Sequence, residues 1–117
     1  DHHANFATSV LGVYYEEGIG IKKDTKLAFE LYEKASSAGD YKGSYRLGLA
    51  YEKGNFIPAD NKKAAYYYQK SLNQKTSPKG ISCAANDLAK LYATGRGVET
   101  KDQQAIVLFK KAAMADM

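Results

Sequence analysis

The sequence predicts an all-α fold, an α/α solenoid of three antiparallel helix-loop-helix repeats stacked in a right-handed superhelix. One segment occurs three times, and its copies begin at Leu11, Leu47 and Leu88, which are 36 residues (from 11 to 47) and 41 residues (from 47 to 88) apart. The Gly or Ala that follows each of these leucines lies 16 residues before another Ala in every copy (from 12 to 28, 48 to 64 and 89 to 105). Self-similarity with a period of 20–50 residues is typical of stacked-repeat proteins.

The first element of each unit is a predicted helix, helix A, in which apolar or small residues recur every four positions. The three sets are Ala7, Leu11 and Tyr15; Gly43, Leu47 and Tyr51; and Ala84, Leu88 and Tyr92. This spacing places each set on one helix face, which we expect to pack. Gly12 and Gly48 follow two of the leucines. Since Gly inside a helix costs about 0.5–1 kcal/mol relative to Ala, they indicate the close approach of a neighbouring helix.

Turn chemistry predicts the ends of these helices and the start of the second helix, helix B. Helix A is predicted to end at a glycine in each unit: Gly18, Gly54 and Gly95. Asp24 and Asp60 are placed to cap helix B in the first two units, and Thr100 with Gln103 offers a capping box in the third. The polar segment 73–80 predicts an extended loop between the second and third units.

Helix B combines small residues with aromatic ones, an arrangement by which antiparallel helices interlock. The matching large residues of the three units are Tyr32, Tyr68 and Phe109. The third helix B is still apolar at 112–117, so we expect either that the native protein continues beyond it or that the chain associates end to end.

Composition excludes several function classes. The chain has 117 residues, 44% hydrophobic and 26% charged, which is typical of a single globular domain. No apolar run reaches the roughly 18 residues of a membrane helix, so we expect no membrane insertion. The 17 Lys and Arg are mixed with 13 acids, without an Arg-rich stripe interleaved with aromatics, so we expect no nucleic-acid partner.

The residues with chemical potential do not form a reactive site in the sequence. His2 and His3 are adjacent and have no further Cys or His at ligand spacing, so we expect no metal and no cofactor. Cys83 is the single cysteine, with no base or oxyanion motif to activate it, and is expected to be a structural thiol. We therefore expect that the protein is not an enzyme.

The pattern Ala-x-x-x-Leu-Gly-x-x-Tyr-x-x-Gly-x-Gly, followed by Asp-x-x-x-Ala-x-x-Leu-Tyr-x-x-Ala, resembles the Sel1-like repeat, a tetratricopeptide-like helix pair with a longer glycine-bearing loop. Three residues depart from the pattern: Ala89 for Gly, Phe56 for Gly and Lys101 for Asp. The resemblance implies one domain at 1–117, which we expect to be a fragment of a longer array. Its repeats are expected at about 4–39, 40–76 and 81–117.

Because members of this family are usually adaptors, the resemblance implies a non-enzymatic module that binds a protein or peptide on its concave, helix-A face. Register with tetratricopeptide repeats predicts the binding residues Ser9, Val13, Glu17, Tyr45, Leu49, Lys53, Asn86 and Lys90. The same register adds Phe6, Glu16, Lys42, Glu52, Cys83, Ala93 and Thr94 to this face. Tyr45 and Leu49 would supply apolar contact, Asn86 would bond the ligand backbone, and Lys53 or Lys90 would pair with carboxylates.

Two alternatives stay open at the level of the sequence. One is a structural spacer within a longer repeat array, and the other is a cell-wall or β-lactam hydrolase, as suggested for some relatives. The resemblance favours a periplasmic or secreted bacterial location over a cytoplasmic one, without deciding between them.

Overall fold

The computed structural model describes residues 2–54, 56–74, 78–95 and 101–115, with side chains from residue 6 onward. These residues form six α-helices and no strand: α1 (His2–Glu17), α2 (Thr25–Ser37), α3 (Tyr41–Lys53), α4 (Asn61–Asn73), α5 (Pro78–Thr94) and α6 (Asp102–Ala115). Consecutive helices pair as α1 with α2, α3 with α4 and α5 with α6, and the pairs stack through α2 on α3 and α4 on α5. The predicted all-α solenoid of three helix pairs is confirmed.

The predicted helix ends are confirmed where the structure describes them. Each helix A ends directly before its glycine, and the three glycines have positive φ angles: +71° at Gly18, +65° at Gly54 and +64° at Gly95. The carboxylate of Asp24 accepts a hydrogen bond from the backbone N–H of Leu27 at 3.0 Å and so caps α2. Asp60 caps α4 in the same way. The capping box predicted at Thr100 lies outside the described residues.

The extended loop predicted at 73–80 is wrong in its extent. α4 continues through Asn73, and α5 already begins at Pro78. Pro is well tolerated in the first turn of a helix because its missing N–H would have no intrahelical partner there, and its fixed φ angle suits the helix. Lys79 and Gly80 therefore belong to the first turn of α5, and this places them beside the groove described below.

The helix-A glycines are notches for aromatic rings of helix B. A Cβ atom built on Gly48 would lie 2.5 Å from the ring of Tyr68, closer than any real contact, so the ring lies directly on the α3 backbone. The Tyr68 hydroxyl donates a hydrogen bond to the Glu52 carboxylate at 2.6 Å. The first unit repeats this arrangement with Gly12, Tyr32 and Glu16. The predicted close approach is confirmed.

The third unit changes all three members of this arrangement together. Ala89 stands at the notch position, Phe109 at the ring position and Ala93 at the acceptor position. Phe109 has no hydroxyl to donate, and Ala93 has no carboxylate to accept a hydrogen bond. A methyl group at Ala89 also fills the space that a closely seated ring would need. Thus the ring, its notch and its hydrogen-bond acceptor form one structural unit.

A buried polar network joins the first two repeats. The hydroxyl of Ser44 donates to the side-chain oxygen of Gln74 at 2.7 Å, and the Gln74 amide donates to the backbone oxygen of Ser36 at 3.1 Å. Because Ser44 has a single hydroxyl proton, the 2.7 Å contact between the two serine hydroxyls requires Ser36 to be the donor. The network links α2 and α3 to the C-terminal cap of α4.

Ser44→Ala is expected to lower the free energy of unfolding by about 1 kcal/mol, because it leaves a buried hydroxyl and an amide oxygen without their partner. Ser37→Ala, at an exposed position of α2, is the matched control and should change stability by less than about 0.5 kcal/mol. Chemical denaturation followed by circular dichroism measures both. Equal stability of the two variants would contradict a structural role for the network.

Equivalent positions differ in burial along the array. Leu47 is buried against Ala28 and Tyr32 of the preceding helix B, and Leu88 is buried in the same way against the second repeat. Leu11, in contrast, is 44% exposed, since none of the described helices packs against it as a preceding helix B. The expectation that the first stripe, Ala7 to Tyr15, packs as the other two do is therefore wrong for Leu11 and also for Ala7, which is exposed.

Candidate functional site

A cavity of about 390 Å³ lies between α1, α3 and α5, the helix-A elements of all three repeats. Its volume falls in the roughly 300–1,000 Å³ range of ligand pockets. Eleven residues line this cavity, which we call the helix-A groove: Ser9, Val10, Val13, Tyr14, Tyr41, Lys42, Tyr45, Arg46, Lys79, Gly80 and Cys83. The groove is thus built from residues far apart in the sequence, which the stacking of the repeats brings together.

The groove contains three of the eight predicted binding residues, Ser9, Val13 and Tyr45. Lys42 and Cys83, which the same register predicted, also line it. The other five predicted residues lie outside this lining: Glu17, Leu49, Lys53, Asn86 and Lys90. Their part in binding stays a prediction.

Several of the predicted residues support the fold. Ser9 is buried, and its hydroxyl donates to the backbone oxygen of Phe6 at 3.0 Å, within its own helix. Val13 packs against the core around Tyr32, and Leu49 packs against the core around Tyr68. Val13 therefore serves both the core and the groove, whereas Leu49 packs against the core without lining the groove.

Tyr45 is held in place at the groove by a hydrogen bond across two repeats. Its hydroxyl donates to the carboxylate of Asp87 at 2.7 Å, and its ring lies 5.7 Å from the ring of Tyr68 between centroids. Burial raises the pKa of Asp87 above its ordinary value, and the charge of Glu52 raises it further. The hydrogen bond from Tyr45 and the charge of Lys90 oppose this shift. The carboxylate is consequently a desolvated acceptor that orients the Tyr45 ring.

The raised pKa of Asp87 predicts a pH dependence of stability. The folded protein binds the proton of the Asp87 carboxyl group more tightly than the unfolded chain does, so protonation of Asp87 stabilises the fold. This stabilisation is fully present below the ordinary pKa of 3.8, and it is lost as the pH rises through the raised pKa that Asp87 has in the folded protein. Asp87→Asn keeps a carbonyl acceptor for Tyr45 but cannot ionise. We expect it to melt at a higher temperature than the wild type at pH 7, with the difference closing toward pH 3.

Thermal melts of both proteins between pH 3 and 7 measure this difference. Glu33→Gln, on the exposed surface of α2, is the control for removal of a negative charge. A melting difference that stays constant over this pH range would show that Asp87 is not the titrating group.

The rim of the groove is positively charged. Lys42 and Arg46 come from α3 and Lys79 from the first turn of α5, and no Asp or Glu belongs to the lining among the described residues. The Lys42 ammonium lies 4.5 Å from the centroid of the Phe6 ring. Burial raises the pKa of the Tyr45 hydroxyl, and the positive charge of Arg46 opposes this rise.

Sequence reasoning missed several lining residues for identifiable reasons. The tetratricopeptide register selected Ser9 and Tyr45, whereas the lining also includes the next residue along each helix, Val10 and Arg46. Composition predicts a loop at Lys79, whereas this residue lies in the first turn of α5. The alignment of the three repeats could have identified Val10 and Arg46, because both stand directly before the repeat leucine and neither belongs to the packing stripe.

The described residues contain no group of three or more His, Cys, Asp or Glu side chains arranged to hold a metal ion. Within the same part of the chain, none of the helices combines the length and the apolarity that crossing a membrane requires. Cys83 is half-buried and contributes its side chain to the groove wall.

Comparison with known proteins identifies the repeat. The family model described as Sel1 repeat matches the chain three times, at residues 6–40, 42–75 and 84–117. The chain belongs to the Sel1 repeat family. Sel1 repeats form helical scaffolds that typically mediate protein–protein interactions.

Two solved structures show the same arrangement of Sel1 repeats. A Sel1 repeat protein from Oxalobacter formigenes has 28% sequence identity and a TM-score of 0.85, and the match covers 95% of this chain and 44% of that one. The protein c5321, described as a protective antigen of uropathogenic Escherichia coli with an SLR fold, has 29% identity and a TM-score of 0.85. That match covers 95% of this chain and 23% of the antigen.

A curated relative is the mitosis inhibitor nif1 of Schizosaccharomyces pombe, with 35% identity over 68 residues. The match covers 58% of this chain and 10% of nif1. The chain therefore spans less than half of the length of each of these relatives.

Proposed function

We propose that this protein is a non-enzymatic adaptor that binds a protein or peptide segment in the helix-A groove. The observation that carries the proposal is the groove itself, a cavity with apolar and aromatic walls and a charged rim that spans all three repeats. A few convergent polar groups on a largely apolar concavity are typical of binding sites. Membership of a family of interaction scaffolds supports the same function.

The alternative of a structural spacer differs from the adaptor in one testable respect. A structural spacer requires only the contacts between its repeats. It does not require a groove lined by partly exposed side chains, whereas an adaptor does. A hydrolase would need an activated nucleophile, and we propose no such role for Cys83. We likewise propose neither nucleic acid nor membrane lipid as the ligand.

Site-specific photo-crosslinking tests the adaptor function with two matched tyrosines. Tyr14 lines the groove and is 45% exposed, whereas Tyr66 is 61% exposed on α4, a helix-B element outside the groove. Replacing each in turn by benzoylphenylalanine places the same reactive group inside and outside the groove. We expect a partner from the native source to crosslink at position 14 and not at position 66.

Crosslinks at position 66 alone would contradict a groove site and move binding to the helix-B surface. The absence of a crosslinked partner at either position would favour the spacer. Tyr14 is a better probe than Tyr45, because Tyr45 takes part in the hydrogen bond with Asp87 and in core packing.

We also propose end-to-end self-association as a secondary property of the array. Within the array, Tyr32 of one repeat packs against Leu47 of the next, a contact that we call the joint between repeats. Phe109 at one end of the array and Leu11 at the other occupy the equivalent positions, and both are partly exposed. Sedimentation of the wild type and of Leu11→Lys tests this. A concentration-dependent dimer that the substitution abolishes supports the joint, and a strict monomer at high concentration contradicts it.

A further inference from the structure

We infer that the segment bound in the helix-A groove is acidic, an extended peptide in which an Asp or Glu stands next to an apolar residue. This inference rests on the proposed function and adds the chemistry of the partner. The charges and the two unlike walls of the groove support it.

The charge of the lining has one sign. Lys42 and Arg46 are four residues apart on α3, so they share one helix face, and Lys79 adds a third cation from α5. Arg46 is half-buried, and a charge in a partly desolvated site attracts a counter-charge more strongly than one in bulk water. A guanidinium can also hold a carboxylate through two parallel hydrogen bonds. A cationic segment would instead meet three like charges without a carboxylate in the described lining.

The α1 side of the groove contributes mainly apolar side chains. α1 contributes Val10, Val13 and the ring of Tyr14, whereas α3 and α5 contribute the cations. Successive side chains of an extended peptide point to opposite sides. A peptide lying along the groove would thus place an acidic side chain toward α3 and α5 and its apolar neighbour toward α1.

The dimensions of the groove favour a peptide over a nucleic acid. A volume of about 390 Å³ accommodates a few side chains, and a nucleic-acid strand brings phosphates along its whole length. The apolar α1 wall offers such a strand no partner for its phosphates, while it gives an apolar side chain a contact surface.

Selection from a random dodecapeptide display library tests the inference, because the library presents acidic, basic and neutral segments alike. The wild type is compared with Arg46→Gln/Lys79→Gln, which removes two charges from the rim. The control is Lys26→Gln/Lys110→Gln, which removes two charges from exposed positions of α2 and α6. Circular dichroism of all three proteins confirms that each is folded before selection.

We expect the wild type and the control to select peptides rich in Asp and Glu next to apolar residues, and the rim variant to lose this preference. Fluorescence anisotropy of the tightest selected peptide should then show binding to the rim variant weakened by about tenfold or more. The control should bind within about twofold of the wild type. Replacing the acidic residues of the peptide by Gln and Asn should weaken wild-type binding to a similar degree.

Three other results would overturn the inference, and they separate it from the proposed function. Groove-dependent selection of peptides without acidic enrichment would leave the adaptor function and exclude an acidic ligand. Tighter binding of a single-stranded DNA oligonucleotide than of the selected peptide, lost in the rim variant, would assign the charges to nucleic acid. Failure of the folded wild type to select any peptide would overturn the acidic ligand, and the photo-crosslinking at Tyr14 would then decide whether the adaptor function survives.

Discussion

Leu47→Ala is expected to lower the free energy of unfolding by about 2–5 kcal/mol, whereas Leu11→Ala should lower it by about 1 kcal/mol or less. The two leucines occupy the same position of successive repeats, yet Leu47 is 1% exposed and Leu11 is 44% exposed. Truncation of Leu47 removes buried apolar area and leaves a cavity against Ala28 and Tyr32. Truncation of Leu11 removes a side chain that is already in contact with water.

This pair of substitutions isolates the contribution of the joint between repeats. Both variants are the same chemical change in a helix A, so helix propensity cancels in the comparison. Chemical denaturation at matched protein concentration gives the two free energies. Equal losses of unfolding free energy would mean either that a second copy of the chain covers Leu11 in solution or that the joint contributes little to stability. Repeating the measurement at several protein concentrations separates these explanations, because association with a second copy depends on concentration.

Gly43→Ala is expected to lower the free energy of unfolding by about 2 kcal/mol, although Ala is the better helix former by up to about 1 kcal/mol. A Cβ atom on Gly43 would lie 2.7 Å from the backbone nitrogen of Ser36, 2.8 Å from the backbone oxygen of Tyr32 and 2.8 Å from the Cβ of Ala35. Two of these three atoms belong to the α2 backbone, which cannot rotate away as a side chain can. The two helices would therefore have to separate.

The double variant Gly43→Ala/Ala35→Gly is the control for this explanation. It removes the Cβ contact but leaves the two backbone contacts, so we expect it not to recover the stability of the wild type. Chemical denaturation of the single and double variants measures this. A Gly43→Ala protein more stable than the wild type would show that helix propensity outweighs the close approach of α2 and α3.

The sequence indicated the repeat unit because each repeat position has a local physical requirement. A positive φ angle favours Gly, as at Gly18, and an N-terminal cap favours a short side chain with an acceptor, as at Asp24. The glycine notches were detectable because an internal Gly destabilises a helix, and this cost is compensated where the Gly allows a neighbouring side chain to pack closely. Gly12 and Gly48 were therefore informative before the Tyr32 and Tyr68 rings were located.

The helix-A groove was predicted less completely, because its lining depends on how the helices are rotated when they stack. Neighbouring residues of a helix point about 100° apart, so a register that selects Tyr45 leaves out Arg46, whereas the groove is wide enough to be lined by both. Lys79 entered the groove only because Pro78 starts a helix where composition predicted a loop. The side chains of Lys53 and Lys90, placed in the groove by register, lie outside its lining.

By itself, the sequence determined the fold class, the glycines that end each helix A, the Asp caps of α2 and α4, and the small residues on which the helix pairs interlock. Each of these follows from steric and hydrogen-bonding requirements within one repeat. Only the tertiary structure decided that Leu11 is exposed while Leu47 is buried, and that three cations line one groove together with apolar side chains of α1. The burial of a residue and the surface that it shares with others depend on which helices pack against each other. A repeat pattern predicts the same environment for equivalent positions, although their neighbours in the stacked array differ.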